Sequence, residues 1–219
     1  MAPVLARVAA DWHRLTGDFG ADPGPADTQL ASLLTAYTAP ARHYHDIRHI
    51  DALLRLSEGH RTRLTDRAAV DFAIFYHDAI YDPSRHDNEA ASAALARESL
   101  LAMGAPASLV DKVARYAEAT DHATAAARHA PGGDPDLDHL IDFDLSILGA
   151  EPHDYDRYAT AIRLEYAIYP DAAYASGRAK VLRHLLTLPA LYRVPAHVHA
   201  WTPRARANLE RELAALSAA

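Results

Sequence analysis

Apolar residues recur along most of this chain at intervals of three and four, the spacing that gives a helix one buried face. Val4, Leu5, Val8, Trp12 and Leu15 mark a first helix over Pro3 to Leu15. The run GDFGADPGPADT reads as a loop, after which Asp27 or Thr28 can open a second helix through Tyr37. Past Pro40, the run ARHYHDIRHIDALLRL carries a helical stripe of Ile47, Ile50, Leu53 and Leu54. Arg67 to Ala79 is a central, largely apolar element whose length alone could suit a strand, but its neighbours all repeat at helical spacing. Asp87 can cap an Ala-rich helix that reaches Met103 and stops at Gly104 and Pro106. Ser108 with Asp111 forms a capping-box-like start for the next helix. APGGDPD follows as a surface loop. Residues 137–148, 155–169 and 178–188 read as three more helices, and Thr202-Pro203 opens a charged last one with Pro at its first position. No hairpin turn and no alternating strand interrupts the series. The pattern predicts an all-α bundle of about eight to ten helices. It predicts a single domain over 1–219, with a metal-site core at about 40–170 and helices of 171–219 packed on it.

One stretch departs from simple amphipathicity. Phe72 to Asp82 reads FAIFYHDAIYD and places an adjacent His77-Asp78 pair at the centre of an apolar run. Burying both without partners costs several kcal/mol. A metal ion satisfies such a pair, since it takes a neutral ring nitrogen and an ionised oxygen. A His hydrogen-bonded to a neighbouring Asp in a core helix does so too.

Composition sharpens the choice. The chain has 14 His in 219 residues, gathered near acidic residues instead of in a terminal tag. It has no Cys, which removes disulfides, thiolate zinc sites and a Cys nucleophile and fits a reducing, cytoplasmic setting. A formal charge of −7 with no basic stripe argues against general nucleic-acid binding. The N-terminus lacks a secretory apolar core, and no apolar run approaches the roughly 18 to 20 residues of a membrane span.

Candidate chemistry then falls into two clusters. In HYHDIRHI, His45 and His49 are four apart, so on a helix they share a face. They can both ligate one ion, or one can bind it while the other acts as an acid. His43 lies off that face. In the second cluster, His77 and Asp78 diverge by about 100° on a helix yet can still reach one ion between them. Glu89, at the start of the next helix, can bond a ligand His or a bound water, or simply complement the helix dipole. Asp121 and His122 end a later helix. Asp142 and Asp144 sit in the apolar run IDFDLSILG, face different sides of a helix, and would want a cation where buried.

Taken in order, these residues resemble the HD-domain metal-dependent phosphohydrolases, whose pattern is a His, an adjacent His-Asp pair and a distant Asp. His49, His77-Asp78 and Asp144 match it. The chain is also similar to one bacterial subgroup of predicted HD phosphohydrolases through YHDIRHI, FYHDAIYD, DNEAASA, ATDHA, DFDLSILGA, YDRYATAIRLEY, Gly177-Arg178 and RARANLEREL. The resemblance implies a helical scaffold and one or two divalent ions (Mn, Fe, Mg, Co, Ni or Zn) held by His49, His77, Asp78 and Asp144. It implies water attack on a small-molecule phosphate ester.

YHDIRHI is further similar to the His-x-x-x-His element of cyclic-nucleotide phosphodiesterases, which makes His45 the candidate proton donor and His49 the ligand. Asp46 stands where that element usually has Asn, and Tyr81-Asp82-Pro83 replaces its His-Pro-Gly, which argues against cyclic nucleotides. Arg163 and Arg178 lie in the family-like C-terminal landmarks as candidate phosphate contacts, with helix-to-helix ion pairs as the alternative. Asp82, Asp121 and His122 are candidates to line the pocket. A di-iron oxygenase using His86 and His122, a nucleotide-sensing module and a plain helical scaffold are the competing readings. The oligomeric state, a homodimer included, stays open.

Overall fold

A computed structural model describes residues 1–121 and 131–218. Among the described residues the chain forms ten α-helices and no strand. They are α1 (Ala2–Asp18), α2 (Pro23–Tyr37), α3 (Ile47–Gly59), α4 (Arg67–Tyr76), α5 (Asn88–Ala102), α6 (Ala107–Glu118), α7 (Pro135–Asp144), α8 (Pro152–Glu165), α9 (Asp171–Thr187) and α10 (Pro195–Ala218). A short 3-10 helix, Leu145–Gly149, follows α7. The protein is all-α, as the apolar spacing predicts. The chain separates into two compact units, Met1–Leu140 and Ile141–Ala219, and the division falls inside α7. No helix is long and apolar enough to cross a membrane among the described residues.

The first unit is built around α4. The side chain of Asp66 caps its start by accepting from the Ala69 N–H at 3.1 Å. All eight residues from Ala69 to Tyr76 are buried, so the helix is apolar on every side, as a central core element should be. Trp12 of α1 meets Phe72, Phe75 and Tyr76 edge-on, with ring centroids 5.7, 5.1 and 6.0 Å away. Its indole N–H donates to the Ala26 carbonyl of α2 at 3.0 Å. Tyr37 closes the far end of α4 by donating to the Phe75 carbonyl at 2.9 Å. Asp71 places a completely buried carboxyl inside this core. Ser57 donates to it, Arg14 reaches it at 3.1 Å, and the Arg67 Nε lies 3.1 Å away, paired but not aligned for a hydrogen bond. Burial still raises its carboxyl above the ordinary range, against the pull of Ser57, Arg67 and Arg14.

The second unit packs α8, α9 and α10 around Tyr155, Leu182, Leu185, Tyr192, Ala205 and Leu209. Its helix ends differ from the sequence reading. α9 starts at Asp171, ahead of Arg178, and α10 starts at Pro195, so Pro203 lies inside the helix instead of at its first turn. An internal Pro removes one i→i−4 bond and crowds the preceding turn. Burial of Ala205 and Leu209 offsets that strain, and Asn208 donates to the Leu148 and Ala150 carbonyls at 2.9 and 3.0 Å. Elsewhere, α2 begins at Pro23 with Asp22 as its cap, earlier than Asp27. The capping box at Ser108 does not form: Pro106 precedes α6 without a side-chain cap, and Asp111 pairs with Arg97.

Candidate metal centre

α4 ends at Tyr76, and His77 is its C-terminal cap in αR conformation. The His77-Asp78 pair therefore stands at a helix end, not within a helix running to Ala79. α3 begins at Ile47, with Asp46 as its cap accepting from the Arg48 N–H at 2.8 Å. That start puts His49 in the first turn of α3, while His45 precedes the helix. The expected one-face pairing of His45 and His49 on a helix is thus corrected. The two rings still lie 5.9 Å apart, because the turn ahead of α3 folds His45 back beside it.

The histidines of α3 and the helix end meet the Asp78 carboxylate. His49 Nε2 lies 3.3 Å from His77 Nε2. Asp78 Oδ2 lies 3.1 Å from His77 Nε2 and 3.8 Å from His49 Nε2. His49 and His77 are buried, and Asp78 is only 14% exposed at its side chain. The His77 Nδ1 sits 3.0 Å from the Ile74 carbonyl. A carbonyl only accepts, so Nδ1 carries a proton there; Nε2, unprotonated, would meet the carboxylate as a second acceptor. Two acceptors cannot share a 3.1 Å contact without a positive charge between them. A proton supplies it by making His77 an imidazolium; a divalent cation supplies it for both imidazoles at once.

The spacing fits the second case. Two nitrogens bound to one ion at about 2.0–2.1 Å, and about 90–110° apart, are separated by about 2.8–3.4 Å. The Nδ1 hydrogen bond to a backbone carbonyl is also the way ligand imidazoles are oriented. A His/Asp group able to hold a metal ion is therefore present.

Around it, the His45 ring lies between Tyr44 and Tyr81, with centroids at 5.0 and 4.4 Å. Arg42 lies beneath the same residues. It donates to the His45 carbonyl at 3.0 Å, the Asp78 carbonyl at 2.6 Å and the Ala79 carbonyl at 2.9 Å. Sequence reasoning passed over Arg42. Its partners are backbone carbonyls, which carry no side-chain signature.

The other candidates separate. Glu89 occupies the first turn of α5. Asp82 accepts from the Ser84 N–H and hydroxyl at 2.8 and 2.6 Å, and these bonds hold its carboxyl below the usual range. That use ties it to the loop ahead of α5. Asp121 is half-buried just past α6, and His122 lies outside the described residues. In the second unit, Arg178 makes a two-pronged pair with Glu212 at 2.8 and 3.0 Å. Arg163 donates to the Tyr166 and Tyr169 carbonyls at 3.0 and 3.2 Å and pairs with Asp171 at 2.5 Å. Both arginines thus serve the ion-pair alternative, and neither guanidinium is held open for phosphate.

Asp144 ends α7, half-buried. Asp142 is completely buried, yet needs no cation. It accepts the Arg193 and Val194 N–H groups at 2.8 and 2.9 Å and lies 2.9 Å from His197 Nδ1.

Neither the family models, the curated proteins nor the solved structures offer a match to this chain.

Proposed function

We propose that the chain is a metal-dependent phosphohydrolase of the HD type, cleaving a phosphate ester of a nucleotide or another small molecule. One observation carries the reading: His77 Nε2 lies 3.3 Å from His49 Nε2 and 3.1 Å from the Asp78 carboxylate. The order His49, His77-Asp78, Asp144 along the chain, which resembles the HD pattern, supports it. Asp144, the distant Asp of that order, is assigned as the closing ligand. Two imidazoles and two carboxylates suit Mn, Fe, Co, Ni or Zn, with Mg as the oxygen-preferring extreme, in one or two ions.

A divalent cation, when bound, would supply Lewis acidity and lower the pKa of its water to about 7 in favourable cases. The chain supplies the rest. The Ile74 carbonyl holds the His77 ring by its Nδ1, which leaves Nε2 as the nitrogen facing the site. Asp78 adds the negative charge that offsets part of the cation's. His45, beside His49 but outside the closest triad, is the proton donor to the leaving oxygen. Donation there is worth about 10²–10⁴ in rate for a group of suitable pKa. His86, which the oxygenase reading needs, is exposed in the loop ahead of α5, and that reading gains no support from it.

The test is phosphate release by chelator-stripped protein with Mg, Mn, Fe, Co, Ni and Zn added singly, against nucleotides and simple phosphate esters. Release should return with a particular metal and fall by about a hundredfold or more in Asp78→Ala. Protein that binds metal but releases nothing across the panel would sink the hydrolase reading.

A further inference from the structure

We propose that Arg42 is a positioning residue that sets the proton donor His45 against the metal-binding turn at Asp78; the assignment rests on the hydrolase reading above. Arg42 belongs to none of the ligand or acid sets. Its guanidinium carries five donors in a rigid fork. One prong bridges the carbonyls of His45 and Asp78 at 3.0 and 2.6 Å, and the other takes the Ala79 carbonyl at 2.9 Å. These are backbone contacts to two separate segments, one carrying the acid and the other a ligand.

The carbonyls of Asp78 and Ala79 follow the C-terminal end of α4, where the helix dipole favours a cation. The guanidinium also lies over two aromatic rings, 4.9 Å from the Tyr37 centroid and 5.5 Å from that of Tyr81. Tyr37 in turn donates to the Phe75 carbonyl in the last turn of α4, and the Tyr81 ring lies tilted against the His45 ring. The hydrogen bonds of the guanidinium thus join the backbone at His45 to the backbone at Asp78 and Ala79. A fork clamped between two backbones fixes their separation, whereas a lysine, with one ammonium, spans only one side well.

Positioning makes a prediction that plain stabilisation does not. A proton donor matters most when the leaving oxygen is a poor leaving group, so phenyl phosphate depends on His45 more than para-nitrophenyl phosphate does. The experiment compares wild type, Arg42→Gln and Arg42→Lys for Co²⁺ uptake, followed by visible absorption, and for cleavage of these two esters. Arg42→Gln should bind Co²⁺ about tenfold more weakly and lose about tenfold more rate on the phenyl than on the nitrophenyl ester. Arg42→Lys should recover part of both, and it decides the matter if Arg42→Gln does not fold. Equal slowing of both esters, or no change, overturns this assignment alone. A wild type that takes up no Co²⁺ and cleaves neither ester overturns the hydrolase reading and this assignment with it. If wild type binds Co²⁺ without cleaving either ester, there is no proton donation for Arg42 to position, and this assignment falls.

Discussion

Asp71 and His77 belong to the same buried stretch of chain, and each meets the problem of charge in an apolar core differently. Asp71 has its cations built in, from Arg14 and Arg67, together with the Ser57 hydroxyl. His77 has a carboxylate and a second imidazole, and so invites a cation from outside. Burial leaves the folded Asp71 carboxyl above its ordinary value. A folded-state pKa raised in this way contributes stability that is fully present below the unfolded value, about 3.9, and is lost as pH rises through the folded one. Asp71→Asn has no such dependence. The stability of wild type minus that of Asp71→Asn should therefore grow as pH falls through the carboxylate range, read from urea midpoints at a series of pH values. A difference flat with pH would refute the shift. At this scale the sequence was informative where a polar side chain interrupts an apolar run, as at His77-Asp78. It was silent where the partner is backbone, as for Arg42, and ambiguous at Asp142, whose burial is answered by two N–H groups and His197 from residues 193–197.

Helix existence was legible from apolar spacing, and helix ends were not. Propensity rules placed Pro203 at a first turn and gave Ser108 a capping box, yet packing in the second unit carries α10 straight through Pro203. The 3-10 helix after α7 was equally hidden, since its five residues Leu145–Gly149 share their apolar character with the helix before. Its end depends on close approach. A Cβ on Gly149 would stand 2.7 Å from the Trp201 Cβ and 3.1 Å from the Tyr192 hydroxyl. Gly149→Ala should accordingly destabilise the protein by about 1–3 kcal/mol through overpacking, measured by denaturant unfolding. A loss below about 0.5 kcal/mol, the range of an ordinary surface change, would mean α10 shifts away without resistance.

For the molecule as a whole, the chain shows no Pro- or Gly-rich linker between its two compact units, because it passes from one to the other without leaving α7. Composition could not reveal that division, as a boundary inside a helix has the same periodicity on both sides. Each unit has its own source of cohesion: the aromatic girdle of Trp12 around α4 in the first, and the Tyr155, Leu182 and Leu209 core in the second. In the second unit Pro203 leaves the His199 carbonyl without its usual helical donor. That gap divides α10 into two stretches with different opening energies. The stretch over 195–202, anchored by His197 on Asp142, should open at a lower free energy than the one over 204–217, which holds buried Ala205, Asn208 and Leu209. Amide hydrogen exchange would display this as a step in protection across Pro203, and a uniform profile along α10 would show that the proline is dynamically invisible.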